Sequence, residues 1–166
     1  MTKDATQRRE GSSAGSGPIL VAVDFSRDSE AALVWACDYA GRIGAKVLVL
    51  HVVHDPVETP GSYRRSEADA LRPMEEVATE MLNKFIQRIG EAQPEVEPDA
   101  ISTQLVRGIP ETRILEVADK TGARMIVMGS RGRTGLPHLL LGSRAERVVQ
   151  RAAIPVTIVK GEPEDE

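Results

Sequence analysis

The stretch from Gly129 to Ser143 reads Gly-Ser-Arg-Gly-Arg-Thr-Gly-Leu-Pro-His-Leu-Leu-Leu-Gly-Ser, with glycines and hydroxyls spaced Gly-x2-Gly-x9-Gly-Ser. That composition suits a phosphate. Backbone N–H groups can converge on phosphate oxygens only where no Cβ intervenes, and a helix amino end adds unpaired donors and a positive dipole. Gly129, Gly132 and Gly142 meet the first need, and a helix starting at Ser143 meets the second. Ser130 and Thr134 offer further donors, while Arg131 and Arg133 either offset phosphate charge or face solvent. A plainer reading also stands, in which the glycines turn the chain and Ser143 with Glu146 forms a capping box for the last helix.

Asp24 closes an apolar run, a place where a carboxylate accepts from ribose hydroxyls, holds a cation, or caps the next helix alongside Ser26. Two common phosphate motifs are absent. There is no Gly-x4-Gly-Lys-Ser/Thr, and no Gly-x-Gly-x-x-Gly follows the first apolar run, so P-loop and hydride-cofactor chemistry lose support. His51, His54 and His138 are scattered and read as packing or surface residues. Without a His-Asp pair or a second acidic cluster in the motif, efficient hydrolysis is not expected, and slow hydrolysis is the most the segment supports.

The elements that must position these groups follow from the apolar pattern. Residues 1 to 17 are rich in Ser, Gly and charge and are read as a disordered arm outside the fold. From Ile19 to Asp24 a continuous apolar run marks a strand buried on both faces. Ser26 and Asp28 cap the next helix, whose apolar face is Ala32, Trp35, Ala36, Tyr39, Ala40 and Ile43, ending at Gly44. Lys46 to Val53 is a second strand, and a polar loop with Pro56, Pro60 and Gly61 follows. A helix beginning near Pro73 carries Met74, Val77, Ala78, Met81, Leu82, Phe85 and Ile89 on one face. Strands at Ile101 to Val106, Arg124 to Gly129 and Ile154 to Val159 alternate with a helix carrying Ile114, Val117 and Ala118 and one carrying Ala145, Val148, Val149 and Ala152. Helical connections of this length make the strands parallel, giving an α/β fold: a single open, doubly wound five-stranded sheet with helices on both faces. In the strand order 3-2-1-4-5 the chain reverses between strands one and four, and ligands bind outside their carboxyl ends. Asp24 and Gly129 stand at those two ends.

With these residues in place, VAVDFS, LVLHV, Gly129-x2-Gly132-x9-Gly142-Ser143, the Val106-Arg-Gly108-Ile-Pro110 stretch and the ending IPVTIVK resemble the universal stress protein family, across residues 18 to 160. Resemblance to its ATP-binding branch implies a stress-response or regulatory protein that binds an adenine nucleotide, ATP with Mg. By the same resemblance Asp24 lies near the ribose, Val52 beside the adenine, and Ala22, Val23 and Met128 line the pocket. The phosphates then lie against Gly129, Ser130, Gly132, Gly142 and Ser143, with Arg131 alongside. Arg144 stands where members often carry an apolar residue, and it either reaches a phosphate or occupies its place.

Bulk properties narrow the rest. The 166 residues suit one domain, and 41% hydrophobic content with only 3% aromatics matches an aliphatic parallel-sheet core. The net charge of −4 equals the four acids Glu162, Glu164, Asp165 and Glu166, so the body is neutral and residues 161 to 166 form an acidic tail. A neutral body argues against a duplex nucleic-acid partner. Cys37 is the only cysteine and no apolar run is long enough for a membrane span, so a cytoplasmic protein is expected. The last strand would leave an apolar sheet edge uncovered in a monomer, which predicts a homodimer through Ile154 to Val159. An assembly protein of this fold with a vestigial nucleotide site is the alternative.

Overall fold

The apolar run at the start of the domain forms β1 (Ile19–Ala22), buried at every position because helices cover both of its faces. There follow α1 (Arg27–Ile43), β2 (Val47–Val53), α2 (Met74–Ala92), a single 3-10 turn at Pro98–Ala100, and β3 (Ile101–Arg107). The chain continues through α3 (Pro110–Thr121), β4 (Met125–Gly129), α4 (Ser143–Arg151) and β5 (Val156–Val159). The computed structural model describes residues 16–54, 72–133, 138 and 140–162; Thr134, the expected loop after Val53 and most of both tails lie outside them.

All strand pairs are parallel, in the order β3-β2-β1-β4-β5, which is the doubly wound sheet that the alternation predicts. Strand alternation sorts the core into two layers. Ile19, Val21, Val23, Val47, Val49 and Val127 pack on one face against α1 and α2. Leu20, Ala22, Leu50, Val52, Ile126 and Met128 pack on the other, against α3 and α4. Ala22 and Met128 are direct neighbours in register, so the carboxyl ends of β1 and β4 open side by side at the reversal point. No helix among the described residues is long and apolar enough to cross a membrane.

Four expectations need correction. Strand β1 stops at Ala22, not Asp24, because the Asp24 N–H leaves the ladder for Ser29 Oγ at 3.4 Å. β5 starts at Val156, not Ile154, and the Pro155 carbonyl only receives the Ile126 N–H at 2.9 Å. The buried face of α1 is Ala32, Leu33, Ala36 and Ala40, whereas Trp35, Tyr39 and Ile43 are 36–39% exposed. Alanines let the helix axis lie close to the sheet, which turns the bulky side chains outward, where Trp35 and Tyr39 stack at 5.2 Å. On α4, Ala145 and Val148 are buried, Ala152 is half-buried and Val149 is exposed.

Candidate functional site

Just past β1, Asp24 is half-buried and its Oδ1 accepts from both the backbone N–H (3.1 Å) and the hydroxyl (2.5 Å) of Ser26. Ser26 in turn caps α1 by accepting the Ser29 N–H at 3.2 Å. Asp24 therefore supports the cap with one carboxylate oxygen, and Oδ2 carries no bond among the described residues. A Cβ built on Gly132 would stand 2.9 Å from that free oxygen. Gly132 is thus small because Asp24 faces it, and the two ends of the crevice meet there.

Asp28 does not cap α1. Its side chain turns across the sheet ends, where Oδ2 accepts from Ser130 Oγ (2.7 Å), the Arg131 N–H (3.0 Å) and Arg131 Nε (3.3 Å), and Oδ1 accepts from the Gly161 N–H (3.0 Å). It is 5% exposed. Burial works to raise its pKa, but the bonds from Ser130, Arg131 and Gly161, together with the Arg131 charge, outweigh it and hold the carboxyl below its ordinary value. An ionised carboxylate thus pins the start of the glycine-rich segment to the chain just beyond β5.

That pin decides which donors remain for a ligand. The Ser130 N–H goes to Val159 O at 2.8 Å, the Gly142 N–H to Ser130 O at 2.6 Å, and Ser130 itself is fully buried. Gly129 lies inside β4, where a Cβ would come 2.7 Å from Asp28, so its size serves the close approach of α1. The capping box is not formed: Gly142 is the N-cap of α4, with no side-chain bond, and Ser143 is already helical. The helix starts one residue early for that motif, and Glu146 instead accepts from Gln150 at 3.2 Å. The opening N–H groups of α4, at Ser143 and Arg144, have no intrahelical acceptor and no partner among the described residues, and nor does the Gly132 N–H. Ala22, Val52 and Met128 form an apolar surface on the same side of the sheet as α4, with Val23 on the opposite face. Arg144 is exposed, and its charge reaches Glu111 on α3, which pairs with Arg147 at 2.7 Å. His138 is exposed.

The universal stress protein family model matches residues 16–160 of this chain. The chain belongs to the universal stress protein family. It is 28% identical over 151 residues to universal stress protein MJ0577 of Methanocaldococcus jannaschii, spanning 86% of this chain and 93% of that one. The solved structure of MJ0577 superposes with a TM-score of 0.63 at 27% identity, covering 90% of this chain and 99% of the other. A second relative in that archaeon, MJ0531, is 50% identical over 60 residues, 36% of this chain and 35% of the relative. The chain spans 45–47% of the length of mycobacterial universal stress proteins that it matches. An Archaeoglobus fulgidus universal stress protein, solved in complex with dAMP, matches at a TM-score of 0.59 and 26% identity, over 87% of this chain and 98% of that one.

Within this universal stress protein two residues beside the crevice escape sequence reasoning. Asp28 looks like an ordinary acid in a helix first turn, and its partner Ser130 lies 102 residues away. Phe25, directly after Asp24, holds φ at +66°, a left-handed conformation that costs a non-glycine residue about 1–3 kcal/mol. Its ring is clamped 4.4 Å from His51 and 5.6 Å from Phe85, which keeps the backbone there. His51 is buried as expected of a packing residue, and since a carbonyl only accepts, its Nδ1 donates to Val23 O at 2.8 Å. Burial depresses the His51 pKa, against the pull of the Val23 bond and the Asp24 charge, so the ring stays neutral.

Proposed function

We propose that this universal stress protein binds an adenine nucleotide, ATP with Mg, as a stress-response or regulatory module. The observation that carries the reading is the pairing of the free Asp24 Oδ2 with the bare Gly132 backbone and the unpaired N–H groups at the start of α4. Asp24 then takes the ribose hydroxyls, the Ser143, Arg144 and Gly132 amides take phosphate oxygens, and Ala22, Val52 and Met128 support the base. Ser130 and the Arg131 amide serve indirectly, through Asp28, by fixing the loop. The dAMP complex of the Archaeoglobus fulgidus relative favours an adenine nucleotide. Mg fits as an ion held chiefly by phosphates with one carboxylate, the usual way this cation binds. Among the described residues no group of three His, Cys, Asp or Glu side chains stands ready to hold a metal by itself.

Turnover is slow at most on this reading, since Asp28 has its oxygens engaged and His51 is neutral and buried. The protein works as a homodimer in the cytoplasm, paired along β5, the sheet edge beside β4. The test is to denature the purified protein, analyse the small molecules released, and compare Gly132→Val. Adenine nucleotide should be released from the parent and absent from the variant, whose extra methyls displace Asp24. Equal retention by both would place the ligand elsewhere.

A further inference from the structure

A second cleft, of about 290 Å³, is lined by Phe25, Met81, Lys84, Phe85, Arg88 and Arg133. It lies against α2 and the core layer of α1, on the opposite side of the sheet from Ala22, Val52 and Met128. Its volume is near the lower end of the range for small-molecule pockets. The inner wall is apolar and aromatic: Met81 and Phe85 are buried, and Phe25 meets Phe85 edge to face at 5.6 Å. The outer wall is cationic, with Lys84, Arg88 and Arg133 all exposed and no acidic residue among the described lining residues. Arg88 is oriented from outside, paired with Glu30 at 2.9 Å and set 5.7 Å above the Phe85 ring.

We propose that this cleft binds a small planar anion, an aromatic ring carrying a phosphate or carboxylate, with the ring against Phe25 and Phe85 and the acid group among Lys84, Arg88 and Arg133. An apolar wall recovers free energy by releasing water from the ring, and the adjoining cations favour one sign of charge. Neither half suffices alone: the exposed cations bind a bare anion weakly in high dielectric, and the buried Met81 and Phe85 offer a neutral ring little contact. The Phe25 ring is fixed in this wall by its contacts with His51 at 4.4 Å and Phe85 at 5.6 Å, so the wall is preformed.

The proposal is independent of nucleotide binding. The probe is phenyl phosphate, titrated into the full chain by NMR while the ring signals of Phe25, Phe85 and His51 are followed, with benzyl alcohol and inorganic phosphate as the separated halves. Phenyl phosphate should shift those signals at least tenfold more tightly than either half, and saturating ATP should not displace it. Lys84→Glu, an exposed site that leaves the fold intact, should weaken the binding tenfold or more and leave ATP binding unchanged. Equal binding of either half, displacement by ATP, or indifference to Lys84→Glu would each overturn the assignment.

Discussion

At the scale of single residues, Asp28 holds the site more tightly than any glycine does. Removing it leaves the buried Ser130 hydroxyl and the half-buried Arg131 and Gly161 amides without an acceptor, so Asp28→Ala should lower unfolding stability by about 3 kcal/mol, measured in urea. Its depressed pKa also sets a sign. The stabilisation is complete above the ordinary carboxyl value of 3.8 and is lost as pH falls through the lower folded value, so Asp28→Asn should flatten the acid limb of the unfolding curve. His51 works in a higher window. Its folded pKa lies below 6.5, so the unfolded chain binds the extra proton and stability rises with pH up to that value. His51→Gln should reduce that slope in the acid range below pH 6.5. The local pattern singled out Asp24 and Gly132, and the structure brings those two residues face to face. Asp28 was not legible in the sequence, because its meaning lies in groups 102, 103 and 133 positions away.

At the scale of elements, β4 and α1 approach so closely that Gly129 has no room for a side chain, with Asp28 atoms 2.7 Å from its would-be Cβ. Gly129→Ala should push α1 outward and cost about 1–3 kcal/mol, read as a lowered Tm. Nucleotide affinity should fall with it, because the same shift drags the Asp28 pin away from Ser130. The strands and α2 were legible because one buried on two faces reads as a continuous apolar run, and the other keeps strict spacing from Val77 to Ile89. The face of α1 was misjudged for a physical reason. Trp35, Tyr39 and Ile43 outweigh alanines in apparent hydrophobicity, yet alanines allow the closer helix-to-sheet packing and so take the inner face. The start of α4 at Ser143 was legible, whereas the alternative capping box was not formed because the N-cap is Gly142, which has no side chain to take that role.

At the scale of the whole molecule, the order β3-β2-β1-β4-β5 places Asp24 and the glycine-rich segment at one reversal point, as expected from the alternation together with a common doubly wound strand order. The same order leaves β5 at an edge, with Val156, Thr157, Ile158 and Val159 each half-buried. Light scattering after size-exclusion chromatography should give the mass of a dimer at micromolar concentration, and a monomer would count against pairing along β5. The central claim concerns the crevice between Asp24 and α4. It is tested most directly by isothermal titration of ATP, with Mg, into protein stripped of small molecules, beside Asp24→Ala. The account predicts one saturable site per chain in the parent protein and at least tenfold weaker binding in the variant. Absence of binding by the parent, or equal affinity in the two proteins, would contradict it.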